Sequence, residues 1–258
     1  MRRKDWWRGF FEPLVGEIMF APKANVSKRE VDEVSRRTKA KPPLKLLDLA
    51  CGAGRHSLIF AKRGFDVTGV DYSKPFLREA KRKARVAGLK IRFVHGDMRK
   101  LGSRFPANNF GLVISLYNSF GYFDSRRDDA KMLHEVHRVL APGGAFVINT
   151  INLAGAVKRL ASPISAGREP LPNVFVIDAA KYDRRKRQID AAWTIIDARR
   201  SKVKVLRKSF RQNIYSHAGL KRLLREAGFR TEAVWGMLPD KPFHRTSWHQ
   251  TIVARKLA

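Results

Sequence analysis

A doubly wound α/β fold, a mostly parallel sheet of seven strands with helices on both faces, is predicted by three observations. Strand-like and helix-like segments alternate five times between residues 44 and 151. The apolar runs, such as LKLLDLA, are too short for good helices and suit buried parallel strands. The same grammar returns at the C-terminal end. Parallel strands need crossovers, and right-handed crossovers pack helices back on the sheet. With 258 residues, 44% of them hydrophobic, the chain can bury a full-sized core.

The elements follow in order. Trp6, Trp7, Phe10, Phe11, Leu14, Val15, Ile18 and Met19 recur at three- and four-residue steps, while Pro13 and Gly16 interrupt them, so one or two short helices are expected. Residues 28–41 read as a second, exposed helix ended by Pro42-Pro43. The strand LKLLDLA (44–50) enters a glycine turn and a helix closed by Gly64, then the strand FDVTGVD. Ser73 and Pro75 start a helix that ends at Gly88. Strands at 91–97 and 110–117, a helix at 128–140, a Pro-Gly-Gly turn at 142–144 and a strand at 145–151 complete the alternation. Between 174 and 212 three extended segments with short polar turns read as an antiparallel β-meander inserted into the domain. Ser216 caps a helix at 217–228, followed by the strands FRTEAVW and HQTIVARK.

Composition narrows the function. No run of 18 apolar residues exists, and charged residues break the N-terminal apolar positions, so neither a spanning helix nor a secretory signal is expected. The single cysteine, Cys51, and the absence of zinc-ligand spacing point to a cytoplasmic protein without a metal site. The formal net charge of +30 favours a polyanionic partner or reflects a general basic habit.

Chemistry is concentrated at three strand ends. The stretch LLDLACGAGRHSL turns through Gly52 and Gly54 into a helix, where glycine lets backbone amides approach a ligand that a Cβ would block. Asp71 ends the second strand, where a carboxylate can accept from both hydroxyls of a ribose. Gly96-Asp97-Met98 ends the third, where the acid can accept from an adenine amine and the Met can cover the ring. Each alone has a plain structural alternative: a strand-to-helix turn, a strand-end acid, a helix-capping Asp. Together they predict a nucleotide-like ligand over the carboxyl ends of the strands. A nicotinamide fingerprint would require glycine where Ser57 stands.

DLACGAG, VTGVDYS, the Gly-Asp-Met set and VLAPGG, in this order and spacing, resemble the class I, Rossmann-like S-adenosylmethionine-dependent methyltransferases, strongly over roughly residues 44–151. The resemblance implies S-adenosyl-L-methionine as cofactor. It places Ala50, Cys51, Gly52 and Gly54 under the methionine part, Asp71 with Tyr72 at the ribose, Asp97 with Met98 at the adenine, and Leu116 at the end of the fourth strand. Ala50 replaces a usual glycine, and Phe110-Gly111 stands where Phe-Asp is frequent. Arg55 and His56 begin the first helix, where a cation or donor can reach the cofactor carboxylate. NSFGYF (118–123), the aromatic DWWRGFF helix and the β insertion resemble a stand-alone subgroup, which implies a lid over residues 1–43 and a methyltransferase domain over 44–258. The alternative for the aromatic helix is a membrane surface.

Methyl transfer from a sulfonium needs positioning and, for some acceptors, a base. Tyr117, Tyr122, His217, His244 and His249 are the candidates, each with a packing or surface alternative. Tyr122 is preferred because it follows the fourth strand into the cleft. Asn-Pro-Pro-Tyr and Asp-Pro-Pro-Tyr, the signatures for methylating base amines, are absent. A small-molecule acceptor is the first expectation. An RNA acceptor is the second, because residues 181–211 hold twelve Lys and Arg against three acids, clustered at Arg184 to Arg187 and Arg199 to Lys204. An inactive nucleic-acid-binding protein of the same fold is the third. The oligomeric state and the acceptor stay open.

Overall fold

A computed structural model describes residues 6–20, 24–239 and 241–257. Residues 1–5 and 21–23 of the expected lid lie outside the described residues, as do 240 and 258.

The chain opens with α1 (Trp7–Phe10), α2 (Pro13–Phe20) and α3 (Ala24–Thr38). It then alternates β1 (Lys45–Leu49), α4 (Arg55–Lys62), β2 (Asp66–Asp71), α5 (Lys74–Val86), β3 (Arg92–His95), β4 (Phe110–Ser115), α6 (Arg126–Val139) and β5 (Leu140–Ile151). After α7 (Leu153–Arg159) come β6 (Ile164–Leu171), β7 (Val174–Asp183), β8 (Gln188–Asp197) and β9 (Lys204–Asn213). The chain closes with α8 (His217–Glu226), β10 (Phe229–Trp235) and β11 (His249–Lys256).

The seven-stranded sheet runs β10-β11-β5-β4-β1-β2-β3. Its pairs are parallel except those of β11, which is antiparallel to β5 and β10. Alternation along β1 shows why the sheet needs two helical layers. Leu47 and Leu49 pack with Met132, Leu133 and Val136 of α6 and Leu220 and Leu224 of α8, whereas Leu46 packs with Val31 and Val34 of α3 and Phe60 of α4. From β1 the chain proceeds outward through β2 and β3, then returns to build β4 and β5 on the other side. That reversal opens a crevice at the carboxyl ends of β1 and β4.

Local chemistry sets the helix starts. The hydroxyls of Ser73, Ser125 and Ser216 accept from the backbone N–H of Phe76, Asp128 and Gly219. Ser73 also donates to the Phe11 carbonyl at 2.9 Å, joining the start of α5 to the N-terminal segment.

Three sequence expectations need correction. The insertion is a separate sheet of four antiparallel strands, β6-β7-β8-β9, beginning at residue 164 and not 174. The missed strand β6 contains Gly167 and Pro170, which erase a strand pattern yet are tolerated at an edge that needs no further pairing. The Pro-Gly-Gly turn is absorbed into β5, with Gly143 at φ +70° and a register shift between Phe110 and Leu112. The helix expected at 28–41 begins earlier, at Ala24, and α7 had no sequence counterpart.

The N-terminal helices lie against the inner face of the second sheet. Phe10, Val15 and Ile18 are buried with Val174, Val176 and Ile195, and Phe10 meets Trp193 and Phe210 ring to ring. The aromatic stripe is thus consumed within the protein.

Candidate functional site

One cavity lies over the carboxyl ends of β4, β1, β2 and β3, and nine of the ten residues singled out for cofactor binding line it: Ala50, Cys51, Gly52, Arg55, Asp71, Tyr72, Asp97, Met98 and Leu116. Tyr122 lines it too. Gly54 does not. Its φ of +76° and the approach of Ala80 Cβ and Phe93, both at 3.1 Å from where a Cβ would stand, give it a packing reason to be glycine.

The turn after β1 carries Ala50 at φ +55° and Gly52 at φ +56°, a left-handed conformation that a larger side chain resists. Asp71 holds this turn from the next strand: Gly52 N–H donates to Oδ2 at 2.8 Å and Ser73 N–H to Oδ1 at 2.7 Å. Burial pushes the Asp71 carboxyl up to about 6, the two amides opposing the shift and nearby Asp48 adding to it. Beneath the turn, Asp48 is buried and accepts from Ser57 Oγ at 2.6 Å.

At the end of β3, Asp97 is gripped by Arg99, whose Nη2 donates to Oδ2 at 2.7 Å. Burial alone would raise this carboxyl, but the Arg99 guanidinium and backbone N–H outweigh it and hold it below the ordinary aspartate range. Arg99 lies over the Phe123 ring, at 4.4 Å from its centre, and reaches Asp128 at 3.3 Å. Met98, Leu116, Val70 and Phe123 supply apolar wall between these polar points.

The opposite end of the cavity is built around a residue that sequence reasoning missed. Glu30 of α3 is fully buried and accepts from Tyr117 Oη at 2.6 Å, with His56 Nε2 at 2.9 Å. Arg55 Nη1 lies 3.4 Å from Glu30 and donates to Ser27 Oγ at 2.9 Å and Tyr117 Oη at 3.2 Å. The guanidinium stacks over the Tyr117 ring at 3.9 Å. Burial would raise Glu30, and His56, Tyr117 and Arg55 together lower it. Tyr117 is itself pushed up to about 12, chiefly by burial. The available signal was helical spacing: Ser27, Glu30, Val31, Val34 and Thr38 form the buried stripe of α3, and an acid in such a stripe requires partners.

The roof is aromatic. Trp7 meets Tyr72 edge-on at 4.6 Å between ring centres, Trp6 meets Tyr122 at 5.0 Å, and Phe11 lies between Phe76 and Tyr122. Lys208 of β9 donates to the Gly9 carbonyl and pairs with Glu12, tying roof to insertion.

Among the candidate bases, Tyr117 and Tyr122 reach the cavity and the three histidines do not line it. Burial raises Tyr122. His249 stands beside the Asn118 amide at 3.1 Å, and burial with nearby Arg159 lowers it to about 4. His217 packs on Phe243 and faces Gln250, while His244 is exposed.

The insertion's cations are dispersed. The turns holding Arg184 to Arg187 and Arg199 to Lys204 sit at opposite ends of the ten-residue strand β8, about 30 Å apart at the usual rise. Arg199 is occupied by Asp197 and Glu17.

A switch-point crevice with a glycine turn at β1 and acids ending β2 and β3 defines the class I, Rossmann-like S-adenosylmethionine-dependent methyltransferase fold. Residues 46–144 match the family model described as a methyltransferase domain. It is similar to the demethylmenaquinone methyltransferase of Thermus thermophilus, 41% identical over 110 residues that cover 42% of this chain and 47% of that protein. The chain spans about half the length of the curated relatives it matches first. Two solved structures share the fold across nearly the whole chain. The CcbJ methyltransferase of Streptomyces caelestis has TM-score 0.82 and 20% identity, covering 97% of this chain and 99% of that one. An S-adenosylmethionine-dependent methyltransferase of Clostridium acetobutylicum has TM-score 0.81 and 17% identity, covering 95% and 97%. No helix among the described residues is long and apolar enough to cross a membrane.

Proposed function

We propose that the chain is an S-adenosylmethionine-dependent methyltransferase acting on a small molecule. The carrying observation is the row of groups along the strand order β4-β1-β2-β3: Leu116, the Ala50 to Gly52 turn, Asp71, then Asp97 with Met98. A cation at Arg55, a buried carboxylate at Asp71 and an ionised carboxylate at Asp97 complement a ligand with an acid, a vicinal diol and an amine-bearing ring. The donor set therefore fits this cofactor.

In this reading the turn and Leu116 hold the amino-acid part, Asp71 and Tyr72 the ribose, and Asp97 and Met98 the adenine. When bound, the cofactor supplies an electrophilic methyl on a sulfonium. The chain's own share is positioning and dehydration. Trp6, Trp7, Phe11 and Tyr122 exclude water, and residues 1–43 act as a lid over the domain formed by 44–258. With Tyr122 raised by burial and His249 neutral above about pH 5, neither serves as a strong base near neutrality. An acceptor that brings its own deprotonated or neutral nucleophile suits such a site. The name of the Thermus relative supports a small-molecule acceptor, and the unpaired Cys51 suits a cytoplasmic setting.

Calorimetry with S-adenosylhomocysteine tests the cofactor. Binding with 1:1 stoichiometry is expected, and no heat at millimolar ligand would reject the proposal. Transfer of labelled methyl into metabolite, protein and RNA fractions tests the acceptor; label confined to RNA would reject a small molecule.

A further inference from the structure

Glu30 of α3 is buried beside the site, and its three partners, Arg55, His56 and Tyr117, all line the cavity. A buried carboxylate costs several kcal/mol unless it is fully partnered, so its place here asks for a role. The pinned guanidinium supplies one. Arg55 spends Nη1 on Ser27, Tyr117 and Glu30, and among the described residues no acceptor meets its Nε or Nη2. Stacking on Tyr117 fixes the plane of the fork. His56, Tyr117 and Arg55 together offset the burial of Glu30, and the remaining Arg55 donors match the planar geometry of a carboxylate.

We infer that Glu30 is a positioning residue for the α-carboxylate of the cofactor's amino-acid end: it sets the Arg55 fork through Tyr117, so that α3, outside the methyltransferase domain match, completes the cofactor site. This rests on the proposed cofactor. It adds that the N-terminal segment shares in recognition of the amino-acid end, by setting Arg55 beside the turn and Leu116.

The two ends are separable with two ligands. S-adenosylhomocysteine carries the carboxylate; 5′-methylthioadenosine has the same nucleoside and no amino acid. In Glu30→Gln, affinity for S-adenosylhomocysteine falls roughly tenfold or more, the size of a disordered charge-assisted hydrogen bond, and affinity for 5′-methylthioadenosine stays within about twofold. Tyr117→Phe, which keeps the ring and removes the link, shows the same split in smaller measure. Arg55→Met shows it fully, and adding Glu30→Gln to Arg55→Met costs nothing further, because both act through one contact. Equal losses for both ligands in Glu30→Gln and Tyr117→Phe would overturn the inference in favour of a purely structural role, as would unchanged S-adenosylhomocysteine affinity in folded Glu30→Gln. Failure of the wild-type chain to bind S-adenosylhomocysteine would instead reject the proposed cofactor.

Discussion

Asp71→Ala is expected to weaken S-adenosylhomocysteine binding by about two orders of magnitude or more, since two hydrogen bonds to a charged acceptor are lost together. The same substitution removes the acceptor of Gly52 N–H and Ser73 N–H. Each buried donor left without a partner costs about 1–3 kcal/mol, so the melting temperature falls as well. Asp71→Asn separates the effects, because its one carbonyl oxygen still serves one amide. Acidity supplies a second readout. Between the ordinary aspartate value of 3.8 and about 6, the folded protein holds a proton that the unfolded chain has released. Stability contributed by this group is therefore greatest at low pH and is lost as pH rises through that window. Ligand affinity runs the other way: a carboxylate must be ionised to accept from both ribose hydroxyls, so affinity is flat above about pH 7 and falls below about 6. Calorimetric titrations from pH 5 to 8 check this; a profile that stays flat down to pH 5 would remove Asp71 from the ribose contact.

Gly121→Ala is expected to cost about 3 kcal/mol or more, as strain and overpacking coincide. Gly121 has φ +94°, and a Cβ there would stand 2.2 Å from the Asn213 carbonyl oxygen. Its own carbonyl accepts from Asn213 N–H at 2.7 Å. Around it, Gln212 Nε2 donates to the Asn118 and Phe120 carbonyls and Asn213 Nδ2 to Phe123, so the last residues of β9 clasp the whole 118–123 loop. Asp129, buried and pushed up to about 7, accepts from Asn213 and Tyr215 behind the clasp. The loop presents Ser119, Tyr122 and Phe123 to the cavity, so turnover falls further than cofactor affinity. Gly143→Ala is the control. It has φ +70° with nothing within 4 Å of the added Cβ, and about 1 kcal/mol is expected. Thermal unfolding of the pair decides: equal shifts would mean that the clasp tolerates the methyl group.

The strand-end residues were legible because their chemistry is local. A glycine turn or a terminal acid needs only its own strand and the next residue, and Asp71, Asp97 and the Ala50 turn lie where strand alternation puts them. Gly54 has a packing reason as well, because a glycine required by packing against Ala80 and Phe93 has the same letter as one required by a ligand. Glu30 and Asp129 were missed for another reason. Their partners, His56 and Tyr117 for one, Asn213 and Tyr215 for the other, are 26 to 87 positions away, and no periodicity carries that information. The edge strand β6 escaped because glycine and proline hide a strand whose outer side has no partner strand among the described residues.

The aromatic roof rests on a strand far along the chain: Lys208 reaches Gly9 across 199 positions, and Trp6 and Phe10 pack on Phe210. During synthesis at 5–20 residues per second, roughly ten to forty seconds separate the emergence of these partners. For that interval the N-terminal rings lack the surface that later buries them, and long-range closure of this kind is slow to form. The rings of the roof therefore leave the ribosome well before the strand that buries them, as does the 118–123 loop that Gln212 and Asn213 clasp.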